Sequence, residues 1–270
     1  SANKVYTTPG DGEFKPSNLE QTIYYPEDGK AVDFIAYYPF NQNLSGNTYA
    51  VNVSSQSNQT AIDLLYANNA VGLSKTSTNA NLVFSHQLSK VEFTVKNGTG
   101  VADLNGLSVS MTGLKTNADF DLATGNISPQ SQTATILTKT GVKNGATVAE
   151  AILIPTTDET GTKVVFTLGA KTFTWALPAG TKFEKGKKYS YEIELKGEGT
   201  SPVGTAAFIK ASIINWNDVP SGSYSLDQEP VVVTPPVLSG YMETPTITTD
   251  ENTVYVAHGF PGRTGVRNYA

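Results

Sequence analysis

Leu82-Val83-Phe84-Ser85-His86-Gln87-Leu88-Ser89-Lys90-Val91-Glu92-Phe93-Thr94-Val95 decides the fold. It is the longest clean strand pattern in the chain, and it sits where two blocks of sequence meet. Side chains on a strand alternate between faces with a period of two. In the first half that puts Leu82, Phe84, His86 and Leu88 on one face; in the second half Val91, Phe93 and Val95 point inward, with Glu92 outside the set. The inward positions therefore change from even to odd. A phase change needs an extra residue, which predicts a β-bulge or bend near Ser89 and Lys90, with the strand leaving one sheet and entering another.

Outward from this stretch the chain reads as strands. Downstream, β-prone runs cover 104–114, 133–137, 148–154, 164–168, 173–177, 189–195 and 207–214. Alternation is sharpest at Phe173, Trp175 and Leu177 and again at Tyr189, Tyr191, Ile193 and Leu195, as in half-buried antiparallel strands. Upstream, shorter runs cover 22–25, 32–38, 49–53 and 62–67, and Pro26 and Pro39 close two of them because proline cannot donate to a ladder. Residues 60–67 also fit a short helix capped by Asn58. Seven or eight short strands without a convincing helix predict an all-β fold of the sandwich type.

Composition limits the function classes. The 270 residues can bury a sizeable core, only 16% of them are charged, and the net charge is −5. Such a surface attracts nucleic acid weakly. No run approaches the length of a membrane-spanning helix, and no signal peptide is present, so the chain reads as soluble or already processed. Cysteine is absent, which removes disulfides, thiolate metal sites and cysteine nucleophiles. Both arginines, Arg263 and Arg267, fall in the last eight residues, a break that suggests a further module beginning near the C-terminus.

The run Phe84-Ser85-His86-Gln87-Leu88-Ser89-Lys90-Val91 resembles the F-x-H-x-L-S-K-[VI] signature of the fimbrillin family of type V pilus subunits and pilus-like surface lipoproteins. Three more pieces match in the same order. They are 32–39, from Val32 through Phe34, Ala36, Tyr37 and Tyr38 to Pro39; 63–67, with Asp63, Leu65 and Tyr66; and Gly186 to Tyr189 followed by the closing 213–216 with Trp216. Together they span roughly 1–226. The resemblance implies tandem transthyretin-like β-sandwiches of antiparallel, Greek-key type. It implies a partial first sandwich over 1–80, lacking opening strands, a second over 81–226, and an extended tail over 227–270. Phe84, His86, Leu88, Lys90 and Trp216 would be structural positions, and the 62–67 run a strand.

Several clusters suggest chemistry, and each has a plainer structural reading. His86, between Phe84 and Leu88, reads as a hydrogen-bonded core residue rather than a metal ligand, since no second ligand is near in sequence. Asn117, Asp119 and Asp121 carry oxygens at every second position, as calcium loops do. Leu122 stands where such a loop needs glycine and Ser128 where it needs glutamate, so a solvated hairpin turn is the preferred reading. Lys182, Lys185, Lys187 and Lys188 surround Gly186 but are interrupted by Glu184, which also reads as a solvated hairpin. Tyr24, Tyr25, Tyr37, Tyr38 and Phe40 could stack on a sugar, although sheet-face packing explains them as well. There is no Gly-x-Ser-x-Gly elbow, no phosphate-cradling loop and no material for a triad, so no catalytic, cofactor or metal residue is assigned and no enzyme is expected.

Beyond Trp216 the sequence becomes extended segments joined by proline and glycine, with Pro235-Pro236 as a stiff spacer. Val231, Val232 and Val233, or alternatively Ile247 with Val254 and Val256, look unpaired within the tail and are candidates for a donated strand. The plainer alternative is a last edge strand of the chain's own sandwich. The resemblance implies assembly with other pilus subunits by strand donation after a lipid-anchored precursor is processed at the outer membrane, and a possible glycan or protein ligand for a tip adhesin. The last residues, from Val254 through His258, Arg263 and Arg267 to Ala270, also resemble the start of DNA/RNA non-specific endonucleases, without their Asp-Arg-Gly-His motif. A binding module of a longer nuclease is therefore the rival expectation.

Overall fold

The computed structural model describes residues 3–10, 12–76, 79–130, 132–197, 217–228, 247–250 and 253–256. In chain order the strands are β1 (Tyr6–Thr7), β2 (Lys15–Pro16), β3 (Val32–Tyr38), β4 (Thr48–Asn52), β5 (Leu65–Leu73), β6 (Ser85–His86) and β7 (Ser89–Asn97). They continue as β8 (Ser108–Lys115), β9 (Asn117–Asp121), β10 (Asn126–Pro129), β11 (Thr133–Leu137), β12 (Lys139–Lys143), β13 (Ala146–Leu153), β14 (Lys163–Leu168), β15 (Lys171–Ala176) and β16 (Lys187–Lys196). The last three are β17 (Asn217–Asp227), β18 (Ile247–Asp250) and β19 (Thr253–Val256). Two single 3-10 turns, Leu19–Gln21 and Gln59–Ala61, are the only helical elements among the described residues.

The chain divides into two compact units, residues 1–229 and 230–270. The first holds four principal sheets, ordered β3-β5-β6, β10-β9-β4, β11-β8-β14-β15 and β12-β13-β7-β16-β17, plus the β1-β2 ribbon. They pack as face-to-face pairs. Tyr66 on β5 meets Phe120 on β9 at 5.1 Å between ring centroids, and Tyr37 on β3 meets Tyr49 on β4 at 5.5 Å. In the larger pair, Phe93 on β7 lies 5.9 Å from Phe166 on β14 and 6.3 Å from Trp175 on β15. The edge-to-face geometry suits the aromatic quadrupole. One continuous apolar core runs from Val51, Leu64 and Phe120 through Leu88 to Phe93, Phe166 and Ile193.

Residues 82–95 pass from one sheet to another, as their alternation predicts. Its first part, β6, pairs with β5, while its second part, β7, pairs with β13 and β16 in another sheet. The break falls at Gln87 and Leu88 rather than as a bulge at Ser89 and Lys90, and Leu88, Val91 and Phe93 are all fully buried. The expected boundary near residue 80 meets a sheet that spans it: β4 from before that point pairs with β9 from after it.

Other expectations are corrected. Residues 22–25 form no strand; they follow the 3-10 turn capped by Asn18, and Tyr25 meets Phe34 edge-on. Residues 117–121 are the central strand β9, with Ala118 and Phe120 inside. Antiparallel pairing fails at β16, which runs parallel to both β7 and β17. About ninety residues separate β7 from β16, ample chain for the return that parallel pairing requires. The β12–β13 hairpin turns on Asn144 and Gly145, both at positive φ (51° and 79°), the two-residue turn whose twist matches its strands.

Candidate functional site

The switch between sheets is held by polar bonds. Gln87 N–H donates to Leu64 O at 2.8 Å, and the Gln87 side-chain amide donates to Ser85 O and Oγ, each at 2.8 Å. Gly186 N–H donates to Leu88 O at 2.9 Å, and a Cβ at Gly186 would stand 3.4 Å from His86 O. His86 Nδ1 lies 2.9 Å from Asp63 Oδ1, with both side chains about one fifth exposed. His86 is therefore hydrogen-bonded as expected, at the margin of the core rather than within it. Phe84 packs 5.9 Å from Phe14, and Lys90 reaches Glu150 at 2.7 Å and Gln59 Oε1 at 3.3 Å. Trp216 lies outside the described residues.

The five-stranded sheet carries a charged centre that the sequence did not disclose. Glu92 is buried and accepts from Lys188 at 2.8 Å and Lys143 at 2.7 Å. Burial works against ionisation of Glu92, but bonds from the two ammonium groups outweigh it and hold the carboxyl below its usual range. Lys188, 3% exposed, is thus a buried partner and not part of a solvated turn. Lys182 and Lys187 do lie at the surface, both paired with Glu184. No group of three or more His, Cys, Asp or Glu able to hold a metal occurs among the described residues. Asp121 instead accepts from Ala123 N–H and Thr124 Oγ1 and so shapes the β9–β10 turn.

The unpaired strand edges are the remaining features suited to recognition. β12 is a short edge bearing Lys139 and Lys143, a pattern that discourages strand addition. β3 is different: a seven-residue edge strand whose one charge is Asp33, with Ile35 and Tyr38 exposed. Nine of the eleven exposed large apolar side chains among the described residues fall between Phe14 and Val83. Of the aromatic set considered for sugar stacking, Tyr25 and Tyr37 are engaged with Phe34 and Tyr49, whereas Tyr24, Tyr38 and Phe40 are exposed.

Val231, Val232 and Val233 lie outside the described residues, as do His258, Arg263 and Arg267. Ile247, Val254 and Val256 lie on β18 and β19, which pair with one another, Ile247 opposite Val256. The expectation that these segments lack a partner in the tail is thus corrected: each is the other's partner, joined by the short connection that antiparallel pairing permits.

The family model described as "Fimbrillin-like" matches residues 1–216. The chain belongs to the fimbrillin-like family. A relative from Bacteroides uniformis, named "Putative fimbrium subunit Fim1C", is 34% identical to this fimbrillin-like chain over 215 residues, covering 74% of the chain and 69% of the relative. A crystal structure from Bacteroides uniformis, described as "a putative cell adhesion protein", superposes with a TM-score of 0.65 at 33% identity over 73% of this chain and 80% of that one. Another, from Bacteroides ovatus and described in the same words, gives 0.58 at 22% identity over 70% and 72%, and shares the fold. The all-β sandwich architecture is thus common to this fimbrillin-like chain and solved relatives.

Proposed function

We propose that the chain is a non-catalytic structural subunit of a bacterial surface fimbrium, exported to the cell surface and joined to neighbouring subunits by β-strand donation. The observation that carries this reading is family membership together with a fimbrium-named relative of one-third identity. The cell-adhesion description of a relative at 33% identity supports the surface setting. Its partners are then other fimbrial subunits. An extended segment of one subunit adds to an open sheet edge of the next, main-chain bonds supplying affinity and alternate side chains fixing register. The long, apolar edge of β3 is the acceptor that fits this physics best, and Val231-Val232-Val233 is the donor favoured by β-propensity.

Val232→Lys tests the donor. A lysine in the middle of the inserted run buries a charge without a partner, so polymers in the variant are expected to shorten to monomers while the circular dichroism of the monomer is unchanged. Polymers of the wild-type length distribution would remove this segment as the donor.

A further inference from the structure

The β12–β13 register leaves a gap that a side chain fills. Lys139 stands opposite Glu150, so by the same register residue 137 would face Ile152. Leu137 has instead turned into the other sheet, where it pairs with Ser110 on β8. Thr138 anchors the departure, its N–H and hydroxyl both donating to Val109 O at 2.9 Å. The last three residues of β13 therefore extend past their hairpin partner with one edge uncovered by any strand.

Gln56 supplies what is missing. Its Nε2 donates to Ile152 O at 2.9 Å and its Oε1 accepts from Ile152 N–H at 2.8 Å, the pair of bonds that a facing strand residue would make. A further bond from Nε2 to Val53 O, 2.7 Å, fixes the amide's orientation. Gln59 extends the cover, donating to Glu150 O at 3.1 Å and to Gln56 Oε1 at 3.2 Å. Both glutamines are buried, and the segment carrying them is tied at Val53 to Thr116 O and by an isolated parallel bridge between Ser55 and Leu137. Residues 53–59 thus run along an open side of the larger sheet pair and seal it with side chains rather than with a strand.

We propose that this segment is a surrogate strand that withholds the Ala151–Leu153 edge from strand addition by a second copy of the chain. An uncovered edge that is apolar on its inner face is a template for intermolecular pairing. Ala151, Ile152 and Leu153 are all buried and apolar, so exposing this edge would offer a second copy an apolar strand to pair with. The inference rests on the reading of the chain as one that assembles by strand addition, and it assigns this side of the molecule as closed to it.

Gln56→Ala in the full chain, with Gln56→Met as the milder variant should the alanine fail to fold, separates the two ideas. The first readout is hydrogen exchange at the Ile152 amide, which depends on the cap alone; loss of the bond is expected to speed exchange about tenfold. The second is association measured by light scattering across a concentration series in a Val232→Lys background, so that the tail's proposed contribution is already removed. Faster exchange with new, concentration-dependent oligomers is the result expected. An Ile152 amide as protected as in the parent would show that Gln56 is not the cap. Faster exchange in a chain that remains monomeric would show that the edge is not a strand acceptor, and either result overturns the proposal. Failure of the wild-type chain to polymerise bears on strand donation by the tail and leaves this test intact.

Discussion

Glu92 concentrates the electrostatic risk of the fold in one residue. It stands on a strand whose neighbours Val91 and Phe93 are fully buried, and it answers two lysines far away in sequence, Lys188 on the adjacent strand β16 and Lys143 on β12. Breaking a buried pair leaves an uncompensated charge, so Glu92→Ala is expected to cost about 3–5 kcal/mol in a denaturant titration, because Lys188 is stranded. The pH dependence has a definite sign. A carboxyl whose folded pKa is depressed contributes stability above its unfolded value, 4.5, and loses it as pH falls through the folded value. Melting temperature should therefore drop on acidification below that value, and Glu92→Gln should flatten the drop; an equally steep profile in the variant would exclude Glu92 as its source. None of this was legible locally. In sequence Glu92 only stands outside the inward set and Lys188 only sits near a turn glycine; 96 positions separate them, and the sheet register brings them together.

Among the elements, alternation is legible where one face is buried. Phe84, Leu88, Val91 and Phe93 signalled the change of sheet, because a period-two pattern cannot change phase without a break. The same alternation is present in Ala118 and Phe120, but the polar residues Asn117, Asp119 and Asp121 between them fit a solvated hairpin turn equally well, and only the pairing with β4 and β10 reveals β9. A contrast between the two faces checks the strand. Phe120→Ala empties a fully buried site against Tyr66 and should cost about 3–5 kcal/mol, whereas Asp119→Ala, on the exposed face, should stay within about 0.5 kcal/mol. Calcium-dependent stabilisation that disappears in Asp119→Ala would contradict a purely structural role for this strand. The parallel pairing of β16 had no sequence signature, since its alternation, Tyr189, Tyr191, Ile193, Leu195, is the same in either orientation.

At the scale of the molecule, a 229-residue β unit bears the family's sequence and a shorter second unit follows it. The all-β class followed from turn spacing and alternation, and the family from four ordered motifs. The guard at Gln56 did not, because a side chain that replaces a strand has no local pattern. On the proposed function, the tail joins one subunit to the next. Negative-stain electron microscopy with size-exclusion chromatography, on the full chain and on a chain ending at Glu229, tests it most directly. Filaments or oligomers that require residues 230–270 are the expected result. Monomers from both chains, or filaments that persist without the tail, would contradict it.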